Sequence, residues 1–181
     1  MNYQKYFLFF LTFVCFLFTS IRSQVFKTQD VALSEVFWDA DTVIRKTLFL
    51  NSEQLEKLQK ISKSKFDSRI ITYYTGLKNG EELGIAFFEA QIVRTKKAII
   101  IIMISPQKTI KHLEVLAFLE PREYLPSSKW FDLFSNKSLT LKLWPGEDIH
   151  AVTGATLSVQ AFTLCARRAL ATYQLLAEKR E

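Results

Sequence analysis

The sequence predicts a single α+β domain in which an antiparallel sheet packs against helices. Between Arg69 and Leu119, short apolar runs alternate with turn signals, which is typical of antiparallel strands joined by tight connections. A segment with a helix-capping motif precedes this region, and a long segment with helical spacing follows it. The chain has 181 residues, 49% of them hydrophobic, which is enough to bury one core.

The first 23 residues are predicted to be a signal peptide or an N-terminal membrane anchor. Lys5 precedes an apolar run from Tyr6 to Thr19, and its roughly 14 apolar residues suit an export signal better than a spanning helix. Inclusion of Ile21 and the flanks could lengthen the run into an uncleaved anchor. We therefore expect an exported domain over residues 24–181, either periplasmic or held at the outer face of an inner membrane.

Charge and cysteine content exclude several classes of protein. Without Lys5 and Arg22, 22 basic and 18 acidic residues remain, so the predicted domain carries a net charge of +4 rather than the +6 of the whole chain. The lysines mostly alternate with glutamates, which argues against a nucleic-acid partner. Two histidines cannot form a multi-histidine metal site. If the signal is removed, Cys165 alone remains, so no internal disulfide can form, and its apolar neighbours predict a core position.

Individual helices and strands are indicated by local motifs. Asn51-Ser-Glu-Gln54 has the spacing of a capping box, and Leu55, Leu58 and Ile61 continue it as an amphipathic helix. Four extended runs follow, separated by turn signals: Ile70 to Tyr74, Leu83 to Val93, Ala98 to Ile104 and Thr109 to Leu119. The run from Ala98 to Ile104 is apolar on both faces, which predicts a central strand covered on each side.

The C-terminal third predicts two further helices. After Glu120-Pro-Arg-Glu-Tyr-Leu-Pro126, a short helix is expected near Trp130. The closing segment, from Leu157 to about Lys179, is helical by spacing, with Arg167 and Arg168 expected to reach solvent.

The junction into this last helix, Asp148 to Ser158, is the most informative part of the sequence. It reads Asp-Ile-His-Ala-Val-Thr-Gly-Ala-Thr-Leu-Ser, so it combines hydroxyl groups and a glycine with a helix N-terminus. Free backbone N–H groups and the helix dipole favour an anion there, such as a phosphate. The alternative is structural: Thr156 or Ser158 could be an ordinary N-cap, and Gly154 a turn residue.

Thr153-Gly-Ala-Thr156 and Ser158 resemble the attachment motif of the FMN-binding domain in the flavin-carrying subunits of the sodium-pumping NADH:quinone reductase and the Rnf complex. The segment Leu116 to Pro126, followed by Trp130 and Phe134, resembles the strand, flavin-side loop and short helix of that family. The resemblance extends from about Leu33 to Leu176 and is closest to small stand-alone members. In the family, a flavin transferase esterifies the motif's last threonine to the FMN phosphate, and Thr156 matches that position.

The resemblance implies a set of cofactor-binding residues: Thr153, Gly154, Ala155, Thr156, Leu157 and Ser158 in the motif, His150 before it, and Glu120, Tyr124 and Leu125 beside the isoalloxazine ring. One position departs from the family pattern. His150 stands where the motif has an aspartate, and the nearest acid is Asp148. FMN could therefore be bound covalently through Thr156 or noncovalently in the same pocket.

The function implied is that of an exported electron carrier, because FMN accepts and passes one or two electrons while the protein orients it. Redox partner proteins at the membrane would supply and accept the electrons, and a flavin transferase would mature the protein. Two alternatives remain open. One is a cofactor-free binding or assembly module of a respiratory complex, and the other is an enzyme that uses noncovalent FMN to reduce a small molecule.

Overall fold

The computed structural model describes residues 24–180, and the predicted N-terminal signal or anchor lies outside them. Six strands form one antiparallel sheet: β1 (Gln24–Val25), β2 (Thr42–Phe49), β3 (Ile70–Lys78), β4 (Glu81–Ile92), β5 (Lys97–Ile104) and β6 (Ile110–Phe118). Four α-helices accompany it: α1 (Gln29–Val36), α2 (Ser52–Ser62), α3 (Ser128–Phe131) and α4 (Thr156–Glu178). The predicted α+β class is confirmed.

The sheet has the spatial order β1-β6-β5-β4-β3-β2. Strands β3 to β6 follow each other as neighbours, as expected for the tight connections that the sequence indicates. The N-terminal part is arranged differently, because β1 pairs with β6 at one edge and β2 pairs with β3 at the other. Helix α1 joins these edges by crossing one face of the sheet.

Helices α2 and α4 cover the opposite face of the sheet, which we call the helix face. Asn51 accepts a hydrogen bond from the Gln54 N–H at 2.8 Å, and the Gln54 side chain accepts one from the Asn51 N–H at 3.2 Å. The predicted capping box is thus present at the start of α2. The larger hydrophobic core lies between this face, α2 and α4, and it includes Phe87, Phe162 and Cys165.

The predicted central strand is confirmed as β5. Ile100 and Ile102 belong to the larger core, whereas Ile101 and Met103 point the other way, into a smaller core beneath α1. Alternation of side chains along a strand explains why both faces of this run are apolar. We call the face under α1 the open face, because that single short helix covers only part of it.

The prediction that Arg167 and Arg168 reach solvent is wrong, since both are buried in α4. Arg167 donates hydrogen bonds to the carbonyls of Ile61, Ser62, Thr140 and Leu143 at 2.7–3.1 Å. Arg168 lies 2.7 Å from the Glu89 carboxylate and also donates to the side chains of Ser64 and Gln91. Helical spacing could not reveal these long-range partners, which compensate for desolvation of the two cations.

The C-terminal helices occupy the predicted parts of the chain. Trp130 in α3 is buried against the rings of Phe131, Phe134 and Phe162. Helix α4 begins one residue before its predicted start, at Thr156. Within residues 24–180, none of the helices combines the length and the apolar character needed to cross a bilayer.

Candidate functional site

The first turn of α4 has no side-chain cap. Its N-cap residue is Ala155, and the first backbone bond of the helical ladder runs from the Val159 N–H to the Ala155 carbonyl at 2.9 Å. The N–H groups of Thr156, Leu157 and Ser158 therefore lie ahead of the ladder, at the positive end of a 23-residue helix. The structural alternative, with Thr156 or Ser158 as an ordinary N-cap, is not observed.

Gly154 and Thr156 leave the space in front of this turn accessible. Gly154 has a φ of +82°, a conformation that favours glycine, and no atom would lie within 4 Å of a Cβ there. Thr156 is the first helical residue and is exposed. A hydroxyl group therefore stands at the helix N-terminus beside open space, where a phosphate is electrostatically favoured.

Ser158 connects this turn to the loop after β6. Its side chain is buried, and its hydroxyl donates a hydrogen bond to the backbone carbonyl of Tyr124. Tyr124 ends a short 3₁₀ turn at Arg122–Tyr124. The hydrogen bond holds the tyrosine next to the helix N-terminus, although 34 residues separate the two partners.

Arg94, which the sequence did not indicate, brings a positive charge to the same place. Its guanidinium carbon lies 4.4 Å from the centre of the Tyr124 ring, a cation–π contact. Arg94 belongs to the turn between β4 and β5, a region with no cofactor motif. Only the fold brings this turn next to the 3₁₀ turn and the start of α4.

Glu120 holds that turn in place. Its Oε1 accepts hydrogen bonds from the N–H groups of Thr95, Lys96 and Arg94 at 2.6, 2.7 and 3.2 Å. These donors, the Thr95 N–H above all, lower the pKa of Glu120 by stabilising its carboxylate. Glu120 is buried, and its Oε1 already accepts hydrogen bonds from the turn. It therefore holds the turn that carries Arg94 and does not line the cleft.

Together these elements form a cleft of about 300 Å³ that opens to solvent. Seven residues line it: Arg94, Tyr124, Gly154, Ala155, Thr156, Leu157 and Ser158. Its size is at the lower end of the range for ligand pockets. The cleft combines free backbone N–H groups, one cation, one aromatic ring and one exposed hydroxyl, an arrangement that can hold an anion joined to a planar group.

Six of the ten predicted cofactor-binding residues line this cleft, and four do not. Glu120 lies beneath the turn that carries Arg94. Leu125 lines a separate groove along β6, next to Phe131. Thr153 and His150 are exposed residues before the cleft, and the His150 backbone carbonyl accepts a hydrogen bond from the Trp130 indole at 2.8 Å. That bond fixes the course of the chain toward Thr153.

Within residues 24–180, no three His, Cys, Asp or Glu side chains are grouped as metal ligands would be. Cys165 is buried, as predicted, and burial raises the pKa of its thiol, which disfavours the reactive thiolate.

Neither protein-family models nor curated proteins give a significant match to the chain.

Proposed function

We propose that this protein carries FMN esterified to Thr156 and transfers electrons between redox partners at a membrane. The observation that carries the proposal is the exposed hydroxyl of Thr156 at the uncapped N-terminus of α4. A phosphate ester at that oxygen would lie against the free N–H groups of the first turn, where negative charge is favoured. The match of Thr153-Gly-Ala-Thr156 to the family motif agrees with this position.

The residues of the cleft fit the phosphate end of FMN. The N–H groups of Leu157 and Ser158 lie ahead of the helical ladder, and Arg94, which also lines the cleft, adds a full positive charge. Gly154 leaves room for phosphate oxygens to approach the backbone. The free N–H groups and the Arg94 charge favour an anion over a neutral ligand.

Tyr124 and Arg94 suit the ring end of the cofactor. The isoalloxazine supplies one- and two-electron chemistry when FMN is bound. Tyr124 offers an aromatic wall that Ser158 holds in place, and Arg94 offers a cation beside it. Because the cleft is open, a ring bound there would keep an exposed edge through which a partner protein could exchange electrons.

Maturation would depend on a flavin transferase that reaches Thr156 and recognises the residues before it. His150 stands in the position of the family's aspartate, is exposed, and has its backbone carbonyl held by Trp130. Its side chain is therefore available to a transferase on the same surface. If His150 prevents esterification, we propose instead that FMN binds noncovalently in the same cleft.

The experiment is visible absorbance after co-expression with a flavin transferase in a host that exports the protein. We expect the wild-type protein to be yellow and to keep its colour on denaturation, whereas Thr156→Val should be colourless once denatured. Thr42→Val is the matched control, since it removes an exposed threonine hydroxyl in β2, outside the motif, and it should stay coloured.

Other outcomes would revise the proposal in different ways. Colour that is lost from the wild-type protein on unfolding would indicate noncovalent FMN. A colourless native protein would contradict flavin binding and favour the cofactor-free assembly module. Turnover of a small-molecule acceptor without any partner protein would indicate a reductase.

A further inference from the structure

Strands β3 and β4 separate before β4 ends. Their register stops at the pair Tyr73–Phe87, although β4 continues for five more residues. In an antiparallel ladder, the backbone groups of successive residues point alternately to the two neighbouring strands. The Val93 N–H bonds to the Lys96 carbonyl in the turn to β5, so the backbone groups of Ala90, three positions earlier, point toward β3. Ala90 is exposed and has no register partner on that strand.

A cleft of about 390 Å³ lies in the gap between the two strands, and we call it the strand cleft. Residues from both faces of the sheet line it, because Phe87 belongs to the larger core, whereas Tyr74 and Phe88 pack against the smaller core under α1. Its volume is in the range of ligand pockets. It is distinct from the cleft at the start of α4, since Arg168, which lines it, lies about 18 Å along the helix from Thr156.

One carboxylate oxygen in the strand cleft has no partner. Arg168 donates to the Oε2 atom of Glu89 from its Nε at 2.8 Å and from a terminal nitrogen at 2.7 Å. The remaining donors of Arg168 bind Ser64, Gln91 and Cys165. Within residues 24–180, the Oε1 atom of Glu89 accepts no hydrogen bond from a side chain or a backbone N–H. Because Glu89 lines the strand cleft, this acceptor is open to a donor from a ligand.

The charges near Glu89 favour a cationic donor. Burial raises the pKa of Glu89, Arg168 lowers it, and the negative charge of Asp67 raises it. Asp67 also lines the strand cleft, so two carboxylates share one buried guanidinium there. An ammonium group gives Oε1 the donor that it lacks, and a hydrogen bond between charged partners is stronger than one between neutral groups.

Positive side chains without an ion-pair partner also line the strand cleft. Arg45 is the register partner of Tyr74 and therefore lies on the open face, and Lys65 belongs to the loop after α2. Both are exposed, and among the ion pairs of residues 24–180 neither takes part. Arg45 favours an anionic group on the open face, while Glu89 favours an ammonium on the helix face. A ligand that meets both requirements is a zwitterion.

We propose that the strand cleft binds an extended dipeptide with free termini. The ammonium of the dipeptide donates to Oε1 of Glu89, and its carboxylate lies on the side of Arg45. Its peptide group pairs with the backbone groups of Ala90 that have no partner on β3, as an added strand does. Two extended residues span about 7 Å. The proposal goes beyond electron transfer and does not depend on FMN binding.

The experiment is saturation-transfer NMR, followed by calorimetric titration, on protein expressed from the full chain in a host that exports it. The probes are Ala-Ala and Leu-Leu, which offer small and large apolar side chains. Acetylated Ala-Ala lacks the ammonium, Ala-Ala amide lacks the carboxylate, and free alanine lacks the peptide group. We expect a free dipeptide to bind and each of the three control compounds to bind at least about tenfold more weakly, because each loses one hydrogen-bonding or charged group.

Variants at exposed positions test the site without removing the buried ion pair. Ala90→Trp should abolish binding by filling the strand cleft, whereas Ile92→Trp, on the same strand but outside the lining, should not. Arg45→Gln should weaken binding about tenfold, and Lys46→Gln, its exposed neighbour outside the lining, should leave it unchanged. Thr156→Val should bind like wild type, which separates this result from the flavin experiment. Absence of binding by both dipeptides, equal affinity for the acetylated form, or unchanged binding in Ala90→Trp would overturn the proposal.

Discussion

The hydroxyl of Ser158, in the first turn of α4, donates a hydrogen bond to the backbone carbonyl of Tyr124. This bond joins the two parts of the chain that resemble a flavin domain, the loop after β6 and the threonine motif. It also settles which role Ser158 has in the fold. The side chain is buried and fixes the distance between the Tyr124 backbone and the helix N-terminus, so it is a positioning residue.

Replacement of Ser158 by alanine should lower the free energy of unfolding by about 1–2 kcal/mol, because the Tyr124 carbonyl loses its donor. It should also reduce the fraction of protein that acquires FMN. Urea unfolding and visible absorbance measure the two effects. Ser127→Ala is the control, since the Ser127 side chain makes no capping bond at the start of α3. Equal stability of the two variants would show that the hydrogen bond from Ser158 to Tyr124 does not stabilise the fold.

Replacement of Glu120 by glutamine should destabilise the turn between β4 and β5 by about 1–3 kcal/mol at pH 7, because three N–H donors lose a charged acceptor. The pKa of Glu120 is lowered in the folded state. Its charge therefore stabilises the fold fully above the unfolded-state pKa, about 4.3, and this stabilisation is lost as the pH falls through the folded-state value.

Melting temperatures of wild type and Glu120→Gln from pH 7 to pH 3 test this expectation. The difference between the two proteins should be largest at neutral pH and should shrink below about pH 4. A difference that stays constant with pH would show that the carboxylate charge makes no contribution.

Replacement of Arg94 by glutamine should reduce FMN loading without unfolding the protein, because it removes the cation from the cleft while the Arg94 N–H still binds Glu120. Arg122→Gln is the control, since Arg122 is exposed in the neighbouring 3₁₀ turn and does not line the cleft. Flavin absorbance per mole of protein is the measurement. Equal loading of the two variants would exclude a role for Arg94 in cofactor binding.

Replacement of Arg167 by methionine should cost about 3 kcal/mol or more of unfolding free energy, because four carbonyl groups lose a buried donor. Arg180→Met is the control. Arg180 pairs with Glu82 at the surface, and an exposed ion pair contributes at most about 1 kcal/mol. Denaturant titration of both variants measures the free energy of unfolding that each substitution removes. Similar losses would mean that the buried hydrogen bonds of Arg167 stabilise the fold no more than the surface ion pair of Arg180 does.

Sequence reasoning was most successful where local motifs decide the structure. The capping box at Asn51 and the two-sided apolar run from Ala98 to Ile104 depend on neighbours a few residues apart, and both are observed. Strand β2 was not predicted, because it lies at the sheet edge and seven of its eight residues are exposed. Such a strand has no alternation of buried and exposed positions to reveal it.

The candidate site could be predicted only along one segment of the chain. The threonine motif is continuous in sequence, so residues 154–158 were predicted together from the resemblance to the flavin family, and they line one cleft. The sequence did not predict that Glu120 binds the turn carrying Arg94. This contact depends on hydrogen bonds between residues that are 24–26 positions apart in the chain. Glu120 was predicted to lie beside the cofactor, whereas the fold uses it to hold the turn that carries Arg94.

The most direct test of FMN attachment at Thr156 is the intact mass of the exported protein after co-expression with a flavin transferase, for wild type and Thr156→Val. We predict that the wild-type mass exceeds that of the polypeptide by one FMN less one water, as a phosphoester at the Thr156 hydroxyl requires, and that the variant has the mass of the polypeptide alone. An unmodified wild-type mass, or the same added mass on both proteins, would contradict attachment at Thr156.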